Sequence, residues 1–122
     1  MISYKKSTTF DERKQKANAM KNAYPDRIPV IVEMNSSSSN YKKYININYK
    51  NKYLVPLDLT MSQLMVVIRK KINIDDKVAL FFFVNNKLIP NTTVLSSIYD
   101  SDKESDGFLY VEFTEENTFG LN

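Results

Sequence analysis

The apolar positions of this chain change period several times, and each change marks an element. Phe10, Ala17, Met20 and Tyr24 recur at helical spacing with Arg13, Lys14 and Lys21 pointing away, which predicts a helix over residues 10 to 24. Thr9 can cap it, Asp11 and Glu12 suit the positive end of the helix dipole, and Pro25 stops it. Arg27 to Met34 is rich in β-branched residues and reads as a strand. Pro29 has no N–H to give to a ladder, so that part of the strand is expected at an edge or beside a bulge. The polar run Asn35 to Asn40 breaks the pattern as a loop. Ile45 and Ile47 then alternate with Asn46 and Asn48, a possible opening for the next strand, and Lys50 to Pro56 reads as that strand proper.

Thr60 and Gln63 fit a capping box, hydroxyl at the N-cap and amide three residues on. Met61, Met65, Ile68 and Ile72 form the core-facing stripe of the helix that follows, and Arg69, Lys70 and Lys71 close it. Leu64 and Val67 lie to one side of that stripe, on a flank that need not be buried. Val78 to Val84 is apolar on both faces and reads as a strand covered on two sides, by the N-terminal helix and by the central one. Asn85-Asn86 is a turn, Leu88 and Ile89 a brief return strand, and Thr92 or Thr93 can cap a short helix through Tyr99. Asp100 to Gly107 reads as an acidic loop and Phe108 to Phe113 as a final, central strand. A hairpin, a helix crossing one sheet face and further strands give an α+β chain. The β-grasp is the arrangement suggested, although pattern alone does not separate it from other small α+β folds.

Composition narrows the chemistry. With 122 residues there is one domain's worth of chain, and no apolar run is long enough to span a bilayer. No leader pattern opens the chain, so the expectation is cytoplasmic. Cys, His and Trp are all absent. That removes thiol nucleophiles, cysteine metal sites, and the commonest general base and metal ligand. No catalytic group, cofactor or metal is expected. The net charge of +3 is too small to make nucleic acid a default partner, and no RNA-reading aromatic–basic sheet is visible. Basic residues crowd the first 24 positions and acidic ones the stretch from Asp100 to Glu116, which solvated faces explain. Only 2 glycines occur, and one is Gly120, in a terminal stretch that can thread a narrow enzyme cleft.

Several blocks together resemble a known family. Tyr24-Pro-Asp-Arg-Ile-Pro-Val-Ile-Val-Glu33, Lys52-Tyr-Leu-Val-Pro56 and Asp58-Leu-Thr60 are similar to the autophagy ubiquitin-like modifiers of the GABARAP type. So are Ile68-Arg-Lys70, Ala79-Leu-Phe-Phe-Phe-Val-Asn-Asn86 and Phe108-Leu-Tyr110, in family order over nearly the whole chain. The resemblance implies a ubiquitin-like β-grasp core over residues 25–116, an N-terminal helical extension over 1–24 and a flexible tail over 117–122. It implies trimming by a processing cysteine protease after Gly120, removing Leu121 and Asn122. Activation by E1-like and E2-like conjugation enzymes follows, then an amide to phosphatidylethanolamine on the autophagosome membrane. The chain itself would be no enzyme and monomeric in solution, its chemistry supplied by those partners.

The resemblance also implies capture of partners, motif-bearing autophagy receptors among them, through an aromatic residue with an aliphatic one three positions later. The segment would add as a strand along Lys52 to Val55. An aromatic pocket is implied at Met20, Pro29, Ile31, Lys52, Leu54 and Phe108, and an aliphatic one at Tyr53, Val55, Pro56, Leu59, Leu64 and Val67. Arg27, Lys50 and Lys71 would attract neighbouring acidic residues. Periodicity alone places Ile31, Leu54 and Phe108 in the core instead, and lysines on an edge strand also serve to block aggregation. Phe81 and Phe83 resemble a family surface patch, which double cover of their strand explains equally well. Departures from the family pattern are Lys16 for an acidic residue, Leu64 for an aromatic, Gly107 for an apolar residue and a longer Ser36–Ser39 loop. The rival reading is a β-grasp adaptor that binds peptides or cytoskeletal surfaces and is never lipidated.

Overall fold

The computed structural model describes residues 3–35 and 51–115. Its helices are α1 (Tyr4–Ser7), α2 (Phe10–Ala23), α3 (Met61–Ile72) and α4 (Leu95–Asp102). Its strands are β1 (Arg27–Met34), β2 (Lys52–Pro56), β3 (Leu80–Val84), β4 (Lys87–Leu88) and β5 (Leu109–Glu115). They form one sheet in the order β2-β1-β5-β3-β4. β1 pairs antiparallel with β2 and parallel with β5, and β3 pairs antiparallel with β5 and β4. This is a ubiquitin-like β-grasp carrying an N-terminal helical segment.

Alternation divides the sheet into two faces. Ile28, Val30, Val32, Phe82, Val111 and Phe113 point inward, where Met61, Leu64, Ile68 and Ile72 of α3 cover them. Phe82 and Phe113 stack with centroids 5.7 Å apart. α3 begins at the expected capping box: Gln63 N–H donates to the Thr60 hydroxyl, and Thr60 N–H donates to the Gln63 side chain. It ends at Asn73 in a left-handed conformation (φ 55°). Pro29 is tolerated because the β1–β5 ladder begins only at Val30, so Pro29 pairs with β2 alone.

Several expectations are corrected. Leu64 is fully buried, not on a free flank, because it belongs to the turn of α3 that faces the sheet. β3 is not covered on two sides: Phe81 and Phe83 stay half-buried, since α2 packs on β1. α4 starts after Val94 with no side-chain cap. Leu95 N–H instead donates to the Leu59 carbonyl, and Thr60 bridges Val94, so tertiary pairing replaces the threonine cap. α1 has no apolar period and was not expected. The Asn35–Asn40 loop beyond Asn35, the Tyr44–Tyr49 alternation and Lys50 lie outside the described residues.

α2 matches its expected span, and its Thr9–Glu12 capping box goes beyond the Thr9 cap expected. Its docking differs. Phe10 and Tyr24 are exposed, while Ala17 is buried and Arg13 turns inward. Arg13 Nε donates to Asp106 at 2.9 Å, with side chains 12% and 2% exposed. Asp106 also accepts from Phe108 N–H and from the Tyr110 hydroxyl, so a carboxylate read as part of a solvated acidic loop is a buried anchor. Burial, with the Asp106 hydrogen bond second, pushes the Tyr110 hydroxyl well above the ordinary tyrosine range and keeps it a donor. Gly107, at φ +95°, sits under α2 where an added Cβ would stand 3.0 Å from the Ala17 Cβ.

Two outcomes follow for the helical segment, both read from urea unfolding midpoints. Gly107→Ala should destabilise by roughly 1–3 kcal/mol through backbone strain and crowding of Ala17. Arg13→Ala leaves Asp106 buried without its cation and should cost about 3 kcal/mol, the low end for breaking a buried pair.

Candidate functional site

Among the described residues β2 is the edge of the sheet, and its register makes that edge two-faced. Lys52 lies opposite Ile31 and Leu54 opposite Pro29, on the outer face toward α2. Tyr53 lies opposite Val30 and Val55 opposite Ile28, on the inner face toward α3. Strand alternation therefore separates the two residue groups that the resemblance implied, one set bordering α2 and the other α3, except for Pro56, which ends the strand with the parity of Lys52 and Leu54.

On the α2 side, Tyr4, Ala17, Ile31 and Phe108 form a small apolar cluster against which Met20 and Tyr110 pack. Ile31 and Phe108 are fully buried and Pro29 is buried, whereas Met20, Lys52 and Leu54 are half-buried. The core placement from periodicity thus applies to Ile31 and Phe108 and not to Leu54. What covers them is α1. The Tyr4 ring stands edge-on to Phe108 at 5.5 Å, and the Lys52 ammonium lies 5.2 Å from the Tyr4 ring centroid. Tyr4 is held there by its own N–H, which donates to Glu33 at 2.8 Å. Desolvation first, and the charge of Lys16 second, hold the Lys52 ammonium below its ordinary range. Lys16 therefore adds positive potential at this rim. Tyr4 was missed because α1 is too short for periodicity to register.

On the α3 side, Val55 and Leu64 are core residues, and Tyr53 and Leu59 pack half-buried against the same core. Val67 remains 37% exposed, and Pro56 is exposed. The accessible part of this face is thus Tyr53, Leu59 and Val67, with Leu64 beneath. The Tyr53 hydroxyl is buried with no hydrogen-bond partner, and burial pushes it up to about 12. Arg27 and Lys71 are exposed cations; Arg27 also stacks its guanidinium 5.8 Å from the Tyr24 ring.

An outer strand such as β2 is the kind of edge to which an extended segment can add. Among the described residues no cluster of Asp or Glu is arranged to hold a metal ion, and no helix is long and apolar enough to cross a membrane.

Comparison with known proteins agrees with this architecture. The family model described as "Autophagy protein Atg8 ubiquitin like" matches residues 12–120. Autophagy-related protein 8e of Arabidopsis thaliana is 46% identical over 119 residues, covering 98% of this chain and 93% of the relative. Autophagy-related protein 8B of Oryza sativa subsp. indica is 44% identical over 119 residues, covering 98% and 96%. Among solved structures, Trypanosoma brucei ATG8 superposes with a TM-score of 0.84 at 34% identity, covering 95% of this chain and 96% of that one. Plasmodium falciparum Atg8, solved in complex with a P. falciparum Atg3 peptide, gives 0.77 at 25% identity, covering 94% and 99%. With the fold, the two-faced edge and near full-length matches in agreement, the chain belongs to the Atg8 family of autophagy ubiquitin-like proteins.

Proposed function

We propose that this protein is conjugated through Gly120 to phosphatidylethanolamine and, once anchored, recruits partners that carry an aromatic-x-x-aliphatic motif. The observation that carries the first half is the family match, which runs to residue 120 and so ends on Gly120. A processing cysteine protease hydrolyses the Gly120–Leu121 amide and releases Leu121-Asn122. ATP activates the new carboxylate as an adenylate, an E1-like and then an E2-like cysteine carry it as a thioester, and the lipid amine displaces the thiol to form the final amide. Support for the E2-like partner comes from the Plasmodium relative, which binds an Atg3 peptide. The protein is then cytoplasmic before conjugation and resident on the autophagosome membrane after it.

The two-faced edge supports the second half. Residues three apart in an extended segment point to opposite sides of a sheet. A strand added along β2 therefore sends its aromatic residue toward Met20, Lys52 and Leu54, and its aliphatic residue toward Tyr53, Leu59 and Val67. Backbone hydrogen bonds to the edge fix the register. The cations Arg27, Lys50 and Lys71 raise the encounter rate with acidic flanks. Because Ile31 and Phe108 lie under Tyr4, they act as the floor of the aromatic subsite, and Leu64 acts as the floor of the aliphatic one.

In a reconstituted conjugation reaction, mass spectrometry should show loss of Leu121-Asn122, followed by addition of one phosphatidylethanolamine. Gly120→Ala should abolish both steps. A protein cleaved elsewhere, or fully active when truncated after Phe119, is instead the non-lipidated adaptor. Independently, Leu54→Asp should weaken binding of an aromatic-x-x-aliphatic peptide by about tenfold or more, measured by calorimetry, since it puts an unpaired charge at a desolvated contact. Tail cleavage in that variant should be unchanged.

A further inference from the structure

Positive charge on the α2 side of the β2 edge is left unbalanced. Arg13 is neutralised by the buried Asp106, and Lys5 by Glu104. Lys16 and Lys52 are not: among the described residues neither is in an ion pair.

Both flank one apolar cluster. Ala17 is buried in it with Ile31 and Phe108, and Met20 packs against it. Lys16 precedes Ala17 and lies one helical turn before Met20, on the same ridge of α2. Lys52 stands opposite Ile31 on the neighbouring strand. Two ammoniums from different elements therefore border the aromatic subsite, and the charge of Lys16 is felt at Lys52. The Tyr4 ring, 5.2 Å from the Lys52 ammonium, attracts that cation without neutralising it. A half-buried ammonium with a like charge for a neighbour gains more from an arriving anion than one standing in open water.

The direction of an added strand says where that anion comes from. Met20, Lys52 and Leu54 lie beside the first residues of β2, and Leu59 follows its last. A motif whose aliphatic residue comes three positions after its aromatic one thus runs parallel to β2, and the residues before the aromatic lie at the Lys52 end. Side chains two apart in a strand share a face. The residue two positions before the aromatic therefore points to the outer face, where Lys16 and Lys52 are, and the one immediately before points to the inner face. On the other side of α1, a groove of about 310 Å³ is lined by Glu33, Glu104 and Glu112, so an anionic segment is repelled there.

We propose that Lys16 and Lys52 form an anion subsite, and that it selects partners carrying phosphoserine or phosphothreonine two positions before the aromatic residue of the motif. The inference rests on the motif reading above and adds a specificity determinant, Lys16, that the reading does not contain. A phosphate suits the place better than a carboxylate, because it brings nearly two charges and several strong acceptor oxygens to a pair of ammoniums.

The test is calorimetry of the full-length protein with the peptide Ala-Ser-Ala-Phe-Thr-Thr-Leu-Ala in three forms: unmodified, phosphorylated at its serine, and with glutamate in place of the serine. A fourth peptide, Ala-Ala-Ser-Phe-Thr-Thr-Leu-Ala, carries the phosphate immediately before the aromatic. Phosphorylation of the first peptide should tighten binding about tenfold through charge-assisted contacts. Glutamate should give a smaller gain, and so should the displaced phosphate. Lys16→Glu, at an exposed position of α2, should cut the phosphate gain to about twofold or less, with Lys16→Gln between. Added salt should shrink the gain in the wild type. An undiminished gain in Lys16→Glu, or a larger gain from the displaced phosphate, would overturn the proposal. Equal affinity of the unmodified and phosphorylated peptides overturns this subsite alone, whereas binding of none of the four overturns the motif reading and the subsite with it.

Discussion

Parallel pairing between β1 and β5 is the constraint on which the rest of this structure hangs. It joins residues that lie far apart in sequence, Val30 with Leu109 through Met34 with Phe113. A parallel pair cannot be closed by a tight turn and needs a long crossover, which here carries β2, α3, β3, β4 and α4. Once β1 and β5 occupy the centre, β2 can only be an outer strand beside β1, and β3 lies on the far side of β5. The same pairing fixes which side chains share a face. Ile31 and Tyr110 line up toward α2, and Val32 and Val111 toward α3. Both the two-faced β2 edge and the carboxylate-lined groove beside α1 are consequences of that register.

The N-terminal segment then decides how much of the outer face remains accessible. α2 is secured at a few strong points more than by a broad apolar stripe. Ala17 lies over Gly107, and Arg13 reaches the buried Asp106. Phe10 and Tyr24, the large apolar residues at its ends, stay exposed. α1 is tied by Tyr4 N–H to Glu33 and by Lys5 to Glu104, and it lays the Tyr4 ring on Phe108. One short helix thus roofs the Ile31–Phe108 cluster and lines the neighbouring groove.

Much of this was legible in the sequence, and what was not has a common physical reason. The capping box at Thr60, the Pro25 stop, the Asn85-Asn86 turn and the alternation of the last strand are local signals, and each lies where local chemistry puts it. Asn85 and Asn86 both take left-handed conformations (φ 51° and 64°), as a two-residue hairpin turn demands. The misreadings all concern partners distant in sequence. Helical spacing could not reveal that Arg13 turns toward Asp106, that Leu64 faces the sheet, or that α2 leaves β3 half-covered. Gly107 was read as a missing apolar side chain, yet its backbone angle and the nearness of Ala17 make the absence of a side chain the functional property. At the candidate site, strand order was needed to see that Lys52 and Leu54 face one way while Tyr53 and Val55 face the other.

A net charge of +3 conceals a division that the fold makes visible. Lys52 lies on the β2 edge and Arg27 pairs with its last residue, with Lys16 close enough to act on Lys52, whereas Glu33, Glu104 and Glu112 gather across α1. Charges at exposed rims add little to the strength of a finished contact, because water and salt screen them. They act mainly on approach, drawing in partners of one sign and turning away those of the other. With both poles on one small domain, the two sides of α1 present opposite charge.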